Sequence, residues 1–541
     1  MNFLKKIGRK EKIIVVISFL VFLVIGIFLR TYHFSDWLRF NMDQSRDAEL
    51  IENLSENNDL PKLGPGAGGT EFQLGPAFYY FQLISAKIFG VEPEKLAYPD
   101  LFFSILSIGL FFLLVKIYFE IPIALTLTWL YSISYFVVKF SRFAWNPNST
   151  PFFVMFFIYA LYNLAISQKR KIVWAILTGV SLGICIQLHT SLLIILPILS
   201  FFVAIIFIRK KIVSTTIIVI VIATTIFANV PQIVTEIRSG GFNSKQFILG
   251  ITNKNERNNS WANNLALNFS CHIKTNNHIL TSMGNENECG YENDWKTFKK
   301  LDGKRMTIGE KIFFVASILL SLIFSLGGYF LLFKKTIKES DKNKKLFLGF
   351  IVGYIFLSFV FYITWATELA VRFFLPLSFV PFIILGFWLN FFEKKFKKGL
   401  WIVVIIIASI SFFNLQKISH TYRDLQYGGK EINGDFDYLT LGEGKYVVDF
   451  VKNNTDKKTN VIDAQAGYLF KSIRSLQFLA GKENIEIIQL KKEIELNSGD
   501  RLFYLKNAEN KCELSQEIAK KYDIEKCSIF RQFSIFVLKV K

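Results

Sequence analysis

The sequence predicts a polytopic α-helical membrane protein with extracytoplasmic loops and a small C-terminal α/β domain. Of its 541 residues, 52% are hydrophobic, and they occur in blocks of about 16 to 22, the length of helix that crosses a hydrocarbon core. The formal net charge of +20 would suggest nucleic-acid binding in a soluble chain. Here many Lys and Arg residues lie in short loops between apolar blocks, where they orient a membrane protein, so no nucleic-acid partner is predicted.

The first apolar block, Ile13–Leu29, follows five basic residues and ends without the small residues of a cleavage site. We interpret it as an uncleaved anchor whose N-terminus is cytoplasmic. With it, about eleven spans are predicted on length and hydropathy. The others are Leu101–Ile117, Ile121–Val138, Pro151–Ile166, Ile172–Leu188, Ser191–Ile208, Ile212–Asn229, Ile312–Phe333, Leu346–Trp365, Phe373–Leu389 and Leu400–Phe413.

The orientation depends on the apolar segment that ends at Phe89. It is short and contains Lys87, so we predict a helix in the membrane interface, with Tyr79 and Tyr80 at headgroup level. Alternation then puts the most basic short loops in the cytoplasm, as the positive-inside rule requires. These loops are Lys169–Lys171, Arg209–Lys211, Lys334–Lys345 and Glu393–Lys398. The predicted location is the plasma (inner) membrane, with an extracytoplasmic C-terminus.

Two domains are predicted, a transmembrane domain over residues 1–415 and a soluble extracytoplasmic domain over 416–541. Residues 30–99 and 230–311 form the outer loops of the first. In the second, patterns of period 2 and period 3.6 predict a small α/β fold. The predicted strands are Val461–Asp463, Ile485–Leu490, Arg501–Lys506 and Ser534–Val540, and the predicted helices are Tyr468–Leu479 and Glu513–Tyr522.

Four of the five cysteines fall in two local pairs on the predicted outer side. Cys271 and Cys289 share the long polar loop, and Cys512 and Cys527 share the C-terminal domain. An oxidising compartment favours a disulfide in each pair. Metal binding by Cys271 with His272 and His278 is the alternative for the first pair.

Three clusters of charged residues lie at the predicted outer ends of spans. They are Asp43–Glu49, Lys139–Asn148 and Glu368–Pro376. Arginine suits bidentate recognition of phosphate, so Arg46, Arg142 and Arg372, together with Lys139, are predicted to hold a lipid phosphate. Asp43 is the candidate base for an acceptor hydroxyl, and Asp47 is its substitute.

Structural explanations remain open for each cluster. Acids in the first turn of a helix are stabilised by the helix dipole, which is how we interpret Glu49. Lys139 and Arg142 could snorkel to headgroups. Glu368 and Arg372 are four residues apart and could form a helical ion pair.

Lipid-phosphate binding beside a carboxylate indicates a glycosyl transfer. A sugar linked through phosphate to a polyprenol already carries an activated anomeric carbon and a good leaving group. The enzyme then needs a base for the acceptor hydroxyl and cations for the departing phosphate. We find no Rossmann-type nucleotide-binding segment among the spans, which agrees with a lipid-linked donor.

The chain resembles the C-type membrane glycosyltransferases, in the family-39 branch related to protein O-mannosyltransferases and the lipid A aminoarabinose transferase. Four motifs carry the resemblance, namely Asp43–Ala48, Gly75–Tyr80, Ser141–Asn148 and Arg372–Pro376. The resemblance implies a polyprenyl-phosphate-linked sugar as donor, transfer outside the cytoplasm, and Asp43 as catalytic base. The acceptor is a hydroxyl of a protein, lipid or cell-envelope glycan. Residues expected in the substrate pocket are Gln44, Glu71, Tyr79, Tyr80, Trp145, Asn146 and Glu368.

Two positions depart from the family pattern. Gln44 follows the first acid, where relatives often carry Glu, and Asn146 stands where relatives often carry a second acid. Asn146 cannot supply a carboxylate to a metal, so we expect that no cofactor is required, with a divalent metal as the alternative.

Two other functions compete with the transferase. A transporter or flippase of lipid-linked sugar would place ionisable residues near the membrane midplane, whereas the middles of the predicted spans are nearly free of charge. A non-catalytic receptor would leave Asp43 and the outer arginines without a shared purpose. The transferase is therefore the preferred interpretation.

Overall fold

The structure is a computed structural model that describes residues 9–68, 70–254, 260–284, 289, 308–364, 366, 369–428, 439–465, 467–490, 496–507 and 512–541. It consists of a bundle of apolar helices and a C-terminal domain with one sheet. The first helices are α1 (Arg9–Thr31), α2 (Met42–Asn57), α3 (Ala77–Phe89), α4 (Pro93–Leu96), α5 (Tyr98–Val115), α6 (Ile121–Ile133) and α7 (Tyr135–Lys139). Next come α8 (Thr150–Ile166), α9 (Lys171–Leu188), α10 (Thr190–Arg209), α11 (Thr215–Ala228), α12 (Val230–Arg238), α13 (Phe242–Lys254) and α14 (Trp261–Thr281).

The remaining helices divide between the membrane and the C-terminal domain. The membrane part ends with α15 (Ile308–Lys338), α16 (Lys342–Ile363), α17 (Val380–Lys395) and α18 (Gly399–Tyr427). The C-terminal domain contains α19 (Leu441–Lys452), α20 (Tyr468–Lys471), α21 (Ile473–Lys482) and α22 (Gln516–Lys521). Two 3-10 helices, Asn146–Ser149 and Val371–Leu377, precede α8 and α17.

Within the described ranges, eight helices are long and apolar enough to cross a membrane, and two bent pairs raise the number to ten. The polytopic α-helical class is therefore confirmed. The predicted single span Phe373–Leu389 is bent instead, by 69° between the helix Val371–Leu377 and α17. α11 lies within the predicted span Ile212–Asn229, and α12 follows it at an angle of 65° in the region predicted as a loop. Prolines lie in the first turn of both α12 and α17, and proline cannot continue a preceding helix without loss of a hydrogen bond.

The predicted span Ile121–Val138 is wrong as one helix, because the chain breaks at Ser134 between α6 and α7. Side chains from other spans satisfy the backbone groups that the break frees. Arg30 donates to the carbonyl of Ser132 at 2.8 Å, and Asn414 accepts the N–H of Tyr135 at 2.8 Å. In a membrane such groups have no water to bind, so a broken helix persists only where protein replaces it.

The predicted outer loop over residues 230–311 contains a packed helix, α14. This helix packs against α15, α16, α17 and α18, and it buries ten residues that include two histidines and a lysine. Its amides find partners on the neighbouring spans. Asn276 donates to Ser325 and Tyr329 at 3.1 and 3.0 Å, and Asn268 donates to the carbonyl of Phe359 at 2.9 Å. Hydropathy could not predict this helix, because many of its buried side chains are polar and are stabilised by hydrogen bonds.

The C-terminal domain has five strands in the order β2-β1-β3-β5-β4. They are β1 (Thr459–Ala464), β2 (Glu486–Gln489), β3 (Arg501–Asn507), β4 (Tyr522–Phe530) and β5 (Phe533–Val540). β1 pairs in parallel with β2 and β3, and β5 pairs antiparallel with β3 and β4. The predicted α/β class is confirmed, whereas β4 was missed because it is a largely exposed edge strand without an apolar face.

Disulfide bonds join the two cysteine pairs for which the sequence favoured them. Cys271 of α14 is bonded to Cys289, and Cys512 is bonded to Cys527 of the edge strand β4. Cys185 is a free, buried thiol in α9.

Candidate active site

The first turn of α2 presents Asp43. The side chain of Asn41 accepts the backbone N–H of Asp43 at 3.2 Å, and Gln44 Oε1 accepts the N–H of Asn41 at 3.3 Å. This reciprocal cap satisfies N–H groups that the start of a helix leaves unpaired. It holds Asp43 in the first turn with 56% of its side chain exposed. The carboxylate therefore lies at the positive end of the helix dipole and is accessible to a reactant.

Arg46 connects Asp43 to a buried carboxylate. Its guanidinium donates to Asp43 Oδ1 at 3.2 Å and to Asp47 Oδ1 at 2.8 and 3.0 Å. The hydroxyl of Tyr79 donates to the same Asp47 oxygen at 2.9 Å. Asp47 is 4% exposed, whereas Arg46 is 40% exposed. Burial raises the pKa of Asp47, and the adjacent Arg46 opposes that rise, so the arginine both anchors to Asp47 and favours its ionised form.

This contact corrects the prediction for Tyr79. Its ring is 4% exposed, and it faces α2 rather than lipid headgroups. Burial also raises the pKa of its phenol, so Tyr79 is the proton donor in its bond to Asp47. Tyr80 is partly exposed on the same helix. The predicted helix Ala77–Phe89 is therefore present, but it is attached to the acidic helix through Tyr79.

A ring of hydrogen bonds joins four segments that are distant in sequence. These are α2, the start of α3, the loop between α7 and α8, and the end of α9. The bonds are Gln44 Nε2 to Ala144 O (2.9 Å), Asn146 Nδ2 to Leu188 O (2.8 Å), Ala77 N to Gln187 Oε1 (3.1 Å) and Tyr79 Oη to Asp47 Oδ1 (2.9 Å). Three of the four motifs quoted above thus meet around Asp43 and Arg46.

The fourth motif joins this ring through Tyr362. The hydroxyl of Tyr362 donates to the carbonyl of Phe373 at 2.7 Å and contacts Ser191 Oγ at 3.4 Å. Ser191 in turn bonds Nδ1 of His189 at 2.8 Å. The guanidinium of the neighbouring Arg372 is exposed and lies 5.4 Å from the Phe373 ring centroid.

Gly75 allows the close approach of α3 and α9. A Cβ at this position would collide with the side chain of Gln187, which accepts the N–H of Ala77. We expect Gly75→Ala to lower the free energy of unfolding by about 1 to 3 kcal/mol, the range for overpacking, and to reduce activity because the ring opens. A thermal unfolding measurement tests this. Gly68→Ala is the matched control, since nothing lies within 4 Å of its added Cβ; equal effects of the two changes would contradict the prediction.

Asp100 is a site residue that the sequence analysis missed. It is 2% exposed, and its carboxylate accepts the backbone N–H of Trp145 at 3.0 Å and the hydroxyl of Ser149 at 2.5 Å. These bonds fix the loop that carries Asn146, whose amide forms one bond of the ring described above. The sequence placed this acid directly before the apolar run Leu101–Ile117. Because unpaired charge is costly there, its position could have marked it as a candidate site residue.

Gln187 and His189 were missed in the same way. Both lie at the turn between α9 and α10, which the predicted topology puts at the outer face. The signal was the polar run Gln187-Leu188-His189-Thr190-Ser191 between two apolar blocks. Polar side chains at such a turn are also expected in an ordinary solvent-exposed loop. The sequence therefore did not indicate that these residues belong to a functional site.

The structure places Arg142 against the end of α1. Its guanidinium is buried and donates to three carbonyls at the C-terminal end of α1, those of Leu29, Arg30 and Tyr32, at 3.2, 2.9 and 2.7 Å. It also contacts the hydroxyl of Tyr422. The last carbonyls of a helix are unpaired and partly negative, so they stabilise the guanidinium at the end of α1. Phosphate binding by Arg142 stays a prediction.

The other predicted residues are more peripheral. Lys139 Nζ lies 5.9 Å from the ring centroid of Tyr135. Trp145 stacks on Phe140 and Phe143 and borders the loop of Asn146. Glu71 is exposed in the turn between α2 and α3. Glu368 lies outside the described residues, so its ion pair with Arg372 stays a prediction.

Metal ligands can be assessed only where side chains are described. In those ranges no group of three or more His, Cys, Asp or Glu side chains could hold a metal ion. The Asn146 amide, at the position where the resemblance led us to expect an acid, donates to the backbone carbonyl of Leu188. Metal independence remains a prediction that depends on these donor types.

The chain is similar to known proteins in part of its sequence and in its fold. Residues 73–234 match the family model described as dolichyl-phosphate-mannose-protein mannosyltransferase. ArnT from Cupriavidus metallidurans in the apo state aligns with a TM-score of 0.51 at 10% identity, over 98% of both chains. The chain has the C-type glycosyltransferase fold. The resemblance inferred from its four motifs is therefore confirmed.

Two further solved structures align with the chain. ArnT from the same organism bound to undecaprenyl phosphate gives a TM-score of 0.50, again at 10% identity and 98% of both chains. The oligosaccharyltransferase AglB from Archaeoglobus fulgidus, in complex with an inhibitory peptide and a dolichol-phosphate, gives 0.48 at 13% identity over 89% of this chain. This chain spans 65% of the length of AglB. No curated protein sequence matches the chain.

Proposed function

We propose that this protein transfers a sugar from a polyprenyl-phosphate-linked donor to a hydroxyl acceptor at the extracytoplasmic face of the plasma membrane. The observation that carries the proposal is the exposed Asp43 carboxylate paired with Arg46, at the meeting point of α2, α3 and the loop before α8. The family match over residues 73–234 supports the reaction class. One ArnT structure similar to this chain is bound to undecaprenyl phosphate, which supports the donor class.

Asp43 acts as the general base. The acceptor oxygen attacks the anomeric carbon as the bond from that carbon to the phosphate oxygen breaks. The proton of the acceptor hydroxyl passes to Asp43, and the electron pair leaves on polyprenyl phosphate. A single displacement inverts the anomeric configuration. Because Asp43 is held by its helix cap and by Arg46, its carboxylate needs little reorganisation before the reaction.

Arg46 stabilises the departing phosphate. Asp47 and Tyr79 fix one side of its guanidinium, and 40% of the side chain remains exposed. The positive end of α2 adds to the attraction for an anion. Arg372 and Lys139 supply further positive charge at the same face, and charge that develops on the phosphate oxygen is neutralised there. Asp47 thus acts through Arg46 rather than as the base.

An assay with purified protein tests the function. Polyprenyl-phosphate sugars with a labelled sugar are supplied in detergent or vesicles with candidate hydroxyl acceptors, and the labelled product and released polyprenyl phosphate are measured. Transfer with inversion is expected. Movement of intact labelled donor across vesicles without transfer would instead identify a flippase, and binding with neither outcome would identify a receptor.

Removal of metal ions should leave the transfer rate unchanged. The physical reason is that Asn146, which offers an amide rather than a carboxylate, stands where relatives often carry an acid, and a hard divalent cation prefers carboxylate ligands. The measurement is the initial rate before and after EDTA treatment. A loss of rate that Mg²⁺ or Mn²⁺ restores would contradict the expectation.

A further inference from the structure

α2 has little apolar anchorage of its own. Of its sixteen residues, five are buried, and only Ala48 and Ile51 among them are apolar. The helix lies between α3 on one side and α21 of the C-terminal domain on the other. Since hydrophobic burial is the main force that fixes a surface helix, the position of this helix depends on polar contacts from its neighbours.

The segment that leads into α2 is bonded to the C-terminal domain. Leu441 N–H donates to the carbonyl of Leu38 at 2.8 Å, and Gly442 N–H donates to the carbonyl of Asp36 at 3.0 Å. The carboxylate of Asp36 also accepts from Arg531 at 2.5 Å. These contacts lie three to five residues before the cap of α2 at Asn41, so they determine where the helix begins.

The outward face of α2 is paired with α21. Glu49 forms an ion pair with Arg474 at 3.3 Å, and Glu52 pairs with Lys482. The ring of Phe40 packs on that of Phe478, also in α21, at a centroid distance of 5.7 Å. Exposed ion pairs contribute little to stability. Two such pairs between the same two helices nevertheless restrict how α2 can rotate about its axis and slide along α21.

We propose that the C-terminal α/β domain is a positioning domain for the base, in which Arg474 and Lys482 set the place of Asp43 through Glu49 and Glu52. This inference rests on the proposed function. The inner side of α2 is fixed by Tyr79 and by the Gln44–Ala144 bond, and the domain fixes its outer side. A displacement of about 1 Å can cost on the order of a hundredfold in rate, so the docking of this domain controls the rate of transfer. Neither residue touches the reactants.

Charge reversal tests the inference. We expect Arg474→Glu with Lys482→Glu to lower kcat about tenfold, within the range for small misplacement, with the KM for donor unchanged because Arg46 is intact. Adding Glu49→Lys and Glu52→Lys should restore kcat to within about threefold, since the reversed pairs reproduce the same geometry. Hydrogen exchange of the amides of α2 should accelerate in the double variant and slow again in the fourfold variant.

A matched control lies within the C-terminal domain. Lys452 and Glu483 form an exposed pair at 2.7 Å that does not involve α2, and Lys452→Glu should leave kcat unchanged. An unchanged kcat in the double variant, or a fall that the fourfold variant does not restore, would overturn the inference. Asp43→Asn separates the two proposals. If that variant transfers sugar at the wild-type rate, the proposed base is wrong, and the exchange rates of α2 still decide whether the domain positions the helix.

Discussion

Asp43→Asn should lower the transfer rate by about 10²- to 10⁴-fold, the contribution of a positioned general base. The amide has nearly the same shape as the carboxylate, so the helix cap and the bond to Arg46 can be retained in part. The asparagine amide cannot accept a proton at neutral pH. We therefore expect kcat to fall while donor affinity changes little, and an initial-rate series over donor concentration measures both.

The same helix offers the control for this change. Glu56 is exposed near the C-terminal end of α2, and Glu56→Gln removes one negative charge without approaching the ring of hydrogen bonds. It should leave kcat unchanged. Asp47→Asn tests Asp47 as the alternative base. If Asp47→Asn abolishes transfer while Asp43→Asn retains it, the base is Asp47, and the assignment from exposure is wrong.

Arg142→Leu should lower the free energy of unfolding by on the order of 3 kcal/mol, because a hydrogen bond to a charged group contributes about 1.5 to 3 kcal/mol and several are lost. The change leaves the carbonyls of Leu29, Arg30 and Tyr32 without their partner at the end of α1. Thermal unfolding in detergent, together with donor binding by the folded fraction, measures the effect. Stability should fall, and the affinity of the folded fraction for donor should not.

Arg372→Leu provides the contrast. Arg372 is exposed, so its replacement should change stability by no more than about 0.5 kcal/mol, as for most surface substitutions. Its removal should weaken donor binding instead. If Arg142→Leu leaves the unfolding temperature unchanged and weakens donor binding, then Arg142 belongs to the phosphate site as the sequence suggested, and its contacts to α1 are incidental.

Most spans could be predicted because a membrane helix must be apolar over its whole lipid-facing length. The exceptions are places where protein replaces lipid or water. The break at Ser134 depends on Arg30 and Asn414, which lie in other helices. α14 depends on acceptors from α15 and α16. Hydropathy describes a residue and its neighbours in sequence. It therefore could not identify partners that lie in other helices.

The candidate site was predicted in part. The acidic helix and the charged motifs were singled out, because charge next to a membrane is costly and therefore informative. The pairing of these charges was not found. Arg46 and Arg142 have the same side chain and similar predicted positions, yet one contacts carboxylates and the other contacts the end of α1. Asp100 was missed because its partners, Trp145 and Ser149, lie 45 and 49 residues away.

Residue order alone therefore specified the membrane class, the polar motifs and the small α/β domain, since each follows from local hydropathy and periodicity. Packing specified the roles of individual side chains. Arg142 came to contact the end of α1, and Tyr79 became a partner of Asp47. Arg474 came to face Glu49 across 425 residues of chain. The physical reason is that a charged or polar side chain can be satisfied by many partners, and only the folded chain selects which partner lies within reach.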